Sequence, residues 1–282
     1  MPPSLRAALF NASLKLSKQH IQTPRLDAEI LLANSIKKQK EFLYAHPEYA
    51  LTKTQSASFQ KLIARRASCE PVAYIINKKE FYGYDFYVDK RVLIPRPETE
   101  ALVEGVLALI SKFPRNQKIA IADIGTGSGC IIICLALKFL KNRVPKSVSF
   151  FAVDASKNAL AVARRNARAY GFDISKPPSD LVKMKKGEEK KISITFSHGN
   201  LLEPILNNKS FITADQHIIV ANLPYITPKN FKTLAPEITR FEPRKALLTP
   251  TDDPDYWYKK IKEQIKPLQT KPKWHTFFEK AV

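Results

Sequence analysis

The chain has 282 residues, 44% of them hydrophobic, and a formal net charge of +20. That is enough apolar material for a sizeable core in about two domains, and it excludes a disordered tail. No apolar run reaches the length of a membrane span, and the start Met1-Pro-Pro-Ser-Leu-Arg6 lacks a signal-peptide core with a cleavage site, so a cytoplasmic, membrane-free protein is expected.

The three cysteines, Cys69, Cys130 and Cys134, have no paired metal spacing and read as small apolar residues in a reducing compartment, with no metal expected. The lysines are scattered rather than interleaved with aromatic residues. The one dense patch, Lys183 to Lys191, contains Glu188 and Glu189, so the charge reads as a solvated surface more than as a nucleic-acid platform.

In chain order, residues 4 to about 72 carry helical periodicity. Leu5, Leu9, Ala12 and Leu16 share one face; Thr23-Pro24 offers an N-cap and a first-turn proline ahead of Leu26, Ile30, Leu31 and Ala33; Thr52 and Gln55 have capping-box spacing before Phe59, Leu62 and Ile63. From Tyr74 the pattern turns alternating and aromatic, through Phe81, Tyr82, Tyr84, Phe86 and Val88 with Gly83 at a turn, which predicts a β-hairpin. Next, Pro95 and Pro97 bracket Arg96 and hold it extended, and a helix begins near Glu98. These changes divide the chain into a helical domain at 1–73, a hairpin linker at 74–92 and an α/β domain at 93–282.

The α/β domain opens with a strand at Lys118 to Ile124, the loop Gly125-Thr-Gly-Ser-Gly129 and a helix through Leu137. A second strand, Ser147 to Val153, ends in Asp154 and leads into an Ala-rich helix. A long polar insertion from Phe172 to Lys191 separates this helix from a third strand at Ile192 to Phe196. The run Ile218-Ile-Val-Ala221 is a buried fourth strand, Asp255 to Lys266 a helix, and Trp274 to Glu279 a fifth strand. Strands alternating with helices in this order predict an open, mostly parallel, Rossmann-like sheet.

Ligands of such sheets sit beyond the carboxyl ends of the strands, where Asp123, Gly125, Gly127, Gly129, Asp154 and Asn222 fall. The glycines admit close approach of a nucleoside, and Asp154 is placed to accept from both ribose hydroxyls. A dinucleotide fingerprint would need glycine at position 130, which is Cys130, and no Gly-Lys-Ser/Thr phosphate loop follows; S-adenosylmethionine fits better than a dinucleotide. The fourth strand ends in Asn222-Leu-Pro-Tyr225. Pro224 fixes its own φ and pushes Leu223 toward an extended shape, so Asn222 Oδ1 and the Leu223 carbonyl form two neighbouring acceptors with the Tyr225 ring as a lid. Two acceptors suit a planar NH2 group, whose delocalised lone pair needs positioning before it can take a methyl group. Read blandly, the same four residues are a strand-end turn.

Asp123 to Gly129 together with Asn222 to Tyr225 resemble the class I methyltransferases that modify planar nitrogens. Ile94-Pro-Arg-Pro-Glu-Thr-Glu100, Arg65-Arg66 with Glu70-Pro71, Phe241-Glu-Pro-Arg244 and Thr23-Pro-Arg-Leu-Asp-Ala-Glu29 narrow the resemblance to the HemK/PrmC family of release factor glutamine methyltransferases, over residues 5 to 279. The resemblance implies a class I (Rossmann-like) methyltransferase domain behind a substrate-docking helical bundle. It also implies transfer of a methyl group from S-adenosyl-L-methionine to the glutamine side-chain amide in the Gly-Gly-Gln loop of class I peptide chain release factors. Carried over by position, the cofactor would meet Asp123, Gly125, Thr126, Gly127, Ser128, Gly129, Asp154, Asn200, Leu201 and Asn222. The glutamine would meet Asn222, Leu223, Pro224 and Tyr225, with Arg96 at the substrate side. The expected partners are the release factor and, indirectly, the ribosome; a monomer is expected.

Four departures from the family pattern stand out. Leu223 replaces its first proline, Asn200-Leu201 its acid and bulky neighbour at the adenine, and Thr249 to Pro254 its Gly-rich turn; the strands that follow the fifth in the family are expected to be missing. Two other readings stay open. Asn-Leu-Pro-Tyr is also the form found in ribosomal RNA adenine-N6 methyltransferases, and a protein that keeps this fold can serve as a non-catalytic binder.

Overall fold

The computed structural model describes residues 3–141, 147–174, 192–268 and 273–279, so most of the expected insertion and the patch at Lys183 to Lys191 lie outside the described residues. The chain folds as two compact units: Met1–Lys78 with the later segment Ala235–Phe241, and Lys79–Leu234 with the remainder from Glu242.

The first unit is helical, with helices at Leu5–Ser17, Pro24–Ile36, Lys40–Ala45, Lys53–Ala67 and Val72–Ile76. Leu5, Leu9, Ala12 and Leu16 are all buried in its core, as their spacing requires. The capping box at Thr52 forms in both directions: the Gln55 N–H donates to Thr52 Oγ1 at 3.1 Å and the Thr52 N–H donates to Gln55 Oε1 at 2.9 Å. Thr23 precedes its helix with Pro24 in the first turn, but its side chain makes no cap. Its hydroxyl donates to Asp27 Oδ1 at 2.9 Å, which supplies this buried carboxylate with a donor. Leu26 is largely exposed, not in the core.

Arg66 explains why Asp27 can be buried. Its guanidinium, buried itself, donates to Asp27 Oδ2 at 2.6 Å and to the Glu70 carbonyl at 3.2 Å, and pairs with Glu237 at 2.8 Å. Glu29, also buried, is met by Arg25 and by the Tyr44 hydroxyl, each at 2.6 Å. The acids and arginines of the motifs at 23–29 and 65–70 are thus paired with one another, Arg66 with Asp27 inside the bundle and the exposed Arg25 and Arg65 with Glu29 and Glu70.

The second unit starts with a hairpin, β1 (Lys79–Phe81) and β2 (Tyr84–Phe86). Tyr82 at φ 55 and Gly83 at φ 78 form the two-residue turn whose twist matches the strands. The alternation does not begin at Tyr74 as expected; Val72–Ile76 is a helical turn with Tyr74 buried, so packing overrides the β-propensity of this aromatic, β-branched stretch.

The main sheet contains β3 (Lys118–Ile124), β4 (Ser147–Asp154), β5 (Ile194–His198), β6 (Gln216–Ala221) and β7 (Lys273–Phe278). β5 starts two residues later than its sequence pattern suggests. Its order is β5-β4-β3-β6-β7, with every neighbouring pair parallel. Alternate residues of β3 serve two cores. Ile119 and Ile121 pack with helices Glu100–Ser111 and Cys130–Lys141, whereas Ala120, Ala122 and Ile124 pack toward helix Tyr256–Ile265. Both faces are covered, which is why β3 and β6 read as continuous apolar runs. From β3 the order runs one way to β4 and β5 and the other way to β6 and β7, so the carboxyl ends of β3 and β6 flank the switch point where ligands bind.

Candidate functional site

At that switch point lies a cavity of about 770 Å³. Its wall includes Gly125, Thr126, Gly127 and Ser128 from the loop after β3, Asp154 after β4, Asn200 and Leu201 after β5, and Asn222, Leu223 and Pro224 after β6, with Arg96 and Thr99 from the segment before helix Glu100–Ser111.

The first loop is wound by its glycines. Gly125 at φ 73 also lies directly beneath the Leu223 side chain: a Cβ there would come within 2.6 Å of Leu223 Cδ2. At Gly129, φ 81, an added Cβ would press on Ile133 and Ala163 at 3.0 and 3.2 Å. Gly129 therefore serves helix packing and does not border the cavity. The loop is held from behind by Asn166, whose buried side-chain amide donates to the Ser128 carbonyl at 2.8 Å and exchanges hydrogen bonds with the Tyr87 backbone.

Asp123, expected at the cofactor, is fully buried and absent from the cavity wall. Its Oδ2 accepts from the Thr126 hydroxyl at 2.7 Å, while its Oδ1 has no hydrogen-bond partner among the described residues. Burial pushes its carboxyl up to about 7, the Thr126 hydrogen bond opposes that, and the charge of Asp154 adds to it. Asp123 shapes the loop from underneath rather than facing a ligand.

Asp154 does face the cavity. Oδ2 accepts from the Gly127 N–H at 2.9 Å and Oδ1 from the Ser156 N–H at 2.8 Å, which fixes the carboxylate and leaves lone pairs on both oxygens. Burial raises its carboxyl above the ordinary carboxylate range, against the pull of those two N–H groups. Asn200 gives its Nδ2 to Glu203 Oε1 at 2.9 Å, keeping Oδ1 as an acceptor. Leu201 is held at φ 49, a costly conformation for a non-glycine residue and one the sequence does not announce.

Asn222 donates from Nδ2 to Thr99 Oγ1 at 3.0 Å, so its other end, Oδ1, is the acceptor left for the cavity. Thr99 is buried, and sequence reading passes over it because it lies inside the stretch at 94–100 whose visible feature is Arg96. Arg96 pairs with Glu242, whose second oxygen accepts the Ile94 N–H at 3.2 Å; Arg96 is thereby braced at the cavity wall. Tyr225 departs from expectation: its ring is not part of the cavity wall. Its hydroxyl lies 3.4 Å from Glu279 Oε1, drawn to the carboxylate at the end of β7. Cys130 and Cys134 are buried, and burial pushes the Cys130 thiol up to about 12, which leaves both inert.

Against known families, residues 7–76 match the PrmC N-terminal domain and residues 100–195 the methyltransferase small domain. The release factor glutamine methyltransferase of Bacillus cereus is 33% identical over 86% of this chain and 75% of its own length. That of Chlorobaculum tepidum is 36% identical over 83% and 72%. This chain belongs to the release factor glutamine methyltransferase family. Among solved structures, the N-terminal domain of human METTL16 in complex with SAH is 18% identical over 89% of this chain and 79% of that one, with a TM-score of 0.43, too distant to add to the assignment.

Leu223 in place of the family's proline changes the side chain at the corner but leaves its backbone carbonyl. The replaced turn, Thr249 to Pro254, is stitched together by its own side chains. Thr249 Oγ1 meets the Thr251 carbonyl at 2.5 Å, and Asp253 receives the Lys259 ammonium at 2.7 Å. Among the described residues no helix is long and apolar enough to cross a membrane.

Proposed function

We propose that this chain transfers a methyl group from S-adenosylmethionine to the side-chain amide nitrogen of the Gly-Gly-Gln glutamine in class I peptide chain release factors. The observation that carries the proposal is the position of Asn222 and Leu223: both border the same cavity as the Gly125–Ser128 loop and Asp154.

The residues suit the methyl donor. The Gly125–Ser128 loop borders the cavity, with Gly125 packed too close under Leu223 for any Cβ, and Asp154, fixed by two N–H donors, retains lone pairs for a ribose diol. The Asn200 oxygen would accept from the adenine amino group. S-adenosylmethionine supplies an electrophilic methyl group on a sulfonium sulfur. The protein holds the nucleophile. Asn222 Oδ1 and the Leu223 carbonyl each take one N–H of the glutamine amide, which turns the nitrogen lone pair toward the methyl group and stabilises positive charge as it builds on nitrogen. Thr99 prevents the Asn222 amide from rotating its donor end into the site. The nitrogen can lose its proton to solvent after methylation, so no base of tuned pKa is required. Pro224 limits the backbone motion of this corner and Arg96, braced by Glu242, borders the substrate side. The helical domain at 1–73 docks the release factor, and the +20 charge speeds its encounter with an acidic partner.

Incubation with isotopically labelled S-adenosylmethionine and either a release factor or ribosomal RNA tests the proposal. Label is expected in the release factor, as one methyl group on the peptide containing the glutamine. Label confined to RNA, or none with cofactor bound, would replace it with one of the other readings.

A further inference from the structure

Leu223 brings the corner a backbone N–H that a proline would not have, at a position where the residue is buried. A buried N–H without a partner is costly, and a partner in the wrong place would compete for the carbonyl needed by the substrate. Tyr258 stands at this point. It is buried on helix Tyr256–Ile265, its ring stacked on Phe278 at 4.6 Å between centroids and 18° between planes. Its hydroxyl oxygen accepts the Leu223 N–H at 3.2 Å.

The hydroxyl has one proton and two carbonyls within reach: Leu223 O at 3.3 Å and Glu279 O at 2.5 Å. The nearer takes it. Glu279 is itself fixed, its N–H donating to the Ala221 carbonyl at 3.1 Å as a continuation of the β6–β7 ladder. The chain of donation therefore runs from the Leu223 N–H to Tyr258 and on to the end of β7, and among the hydrogen bonds of the described residues the Leu223 carbonyl oxygen keeps only the longer contact with that hydroxyl. Burial and the nearby Glu279 charge both push the phenol up, outweighing the Leu223 N–H, so it stays protonated and able to pass its hydrogen on.

We infer that Tyr258 is a positioning residue for methyl transfer: its hydroxyl satisfies the Leu223 N–H, ties the backbone of residue 223 to the end of β7, and so presents the Leu223 carbonyl to the amide substrate. The inference rests on the corner acting as proposed above, but the clamp itself exists without substrate.

Two measurements on the full chain test it. Amide exchange at Leu223 in the ligand-free protein should speed up at least tenfold in Tyr258→Phe while β3 amides keep their protection; unchanged exchange at Leu223 overturns the inference whatever the enzyme's substrate. In steady-state methyl transfer, Tyr258→Phe should lower kcat about tenfold to a hundredfold with KM for S-adenosylmethionine unchanged. In a Leu223→Pro background, where there is no N–H to hold, loss of the hydroxyl should change kcat less than twofold. An equal loss in both backgrounds would show that Tyr258 acts only through packing and would overturn the clamp. Absence of any methyl transfer by the wild-type protein would instead count against the proposed function, leaving the exchange result to decide on the clamp.

Discussion

Replacing Asp123 by Asn should make the protein relatively more stable as pH rises. The carboxyl is fully buried, one oxygen has no donor among the described residues, and its folded-state value is about 7 against an ordinary 3.8. A carboxyl raised by folding costs nothing below the unfolded value, and stability is then lost progressively as pH climbs from about 4 to about 7. At about 1.4 kcal/mol for each pH unit, the wild-type protein loses roughly 3 kcal/mol from this one group between pH 5 and pH 8. Asn keeps an oxygen for the Thr126 hydroxyl but places an amide N–H₂ where the orphan Oδ1 was, a penalty of about 1–3 kcal/mol that does not vary with pH. The difference in unfolding free energy between Asp123→Asn and wild type, from urea titrations at pH 5 and pH 8, should therefore shift by about 3 kcal/mol in favour of the variant. Affinity for S-adenosylmethionine should hold, since Asp123 does not border the cavity. A difference independent of pH would refute the reasoning, and a collapse of cofactor affinity in a folded variant would return Asp123 to the ligand shell.

Asp154→Asn should weaken S-adenosylmethionine binding by about tenfold to a hundredfold, the worth of charge-assisted hydrogen bonds to a ribose, as read by calorimetry. Arg66→Met leaves Asp27 buried without its cation and should destabilise the helical unit by about 3–5 kcal/mol in chemical denaturation, with Asp27→Asn in the same chain recovering part of the loss. Raising salt from 50 to 300 mM should slow methylation at low release factor concentration and leave kcat at saturation unchanged; equal rates would exclude electrostatic steering.

Much of this site was legible because it depends on residues with few alternatives. Glycines at 125, 127 and 129 occupy φ values that other residues adopt at a cost, Asp154 ends its strand at the expected place, and the run at 218–221 is buried on both faces. The motifs near 27 and 66 were legible through their resemblance to the family's pattern, and the structure pairs Arg66 with Asp27. What stayed hidden depends on contacts between residues far apart in the chain. Nothing local in the sequence says that Thr99 will meet Asn222, that Asn166 will brace the first loop, or that Tyr258 will reach Leu223. Asp123 and Tyr225, expected at the ligand, do not border the cavity: position at a strand end does not give the direction of a side chain. Asp123 turns inward to Thr126, and Tyr225 turns to a carboxylate on a neighbouring strand. At Thr23 the cap was legible in position only: the hydroxyl donates to Asp27 and accepts no helix N–H.

Two acceptors holding one amide nitrogen are the centre of the proposed chemistry, and Asn222→Ala measures their contribution directly. With the release factor as substrate and methyl stoichiometry read at the glutamine, the variant should bind S-adenosylmethionine near normally. It should lose at least a hundredfold in kcat, from the orienting hydrogen bond and the charge stabilisation together. Turnover within a few-fold of wild type would mean that the glutamine is held elsewhere, and the proposed chemistry of the corner would be wrong.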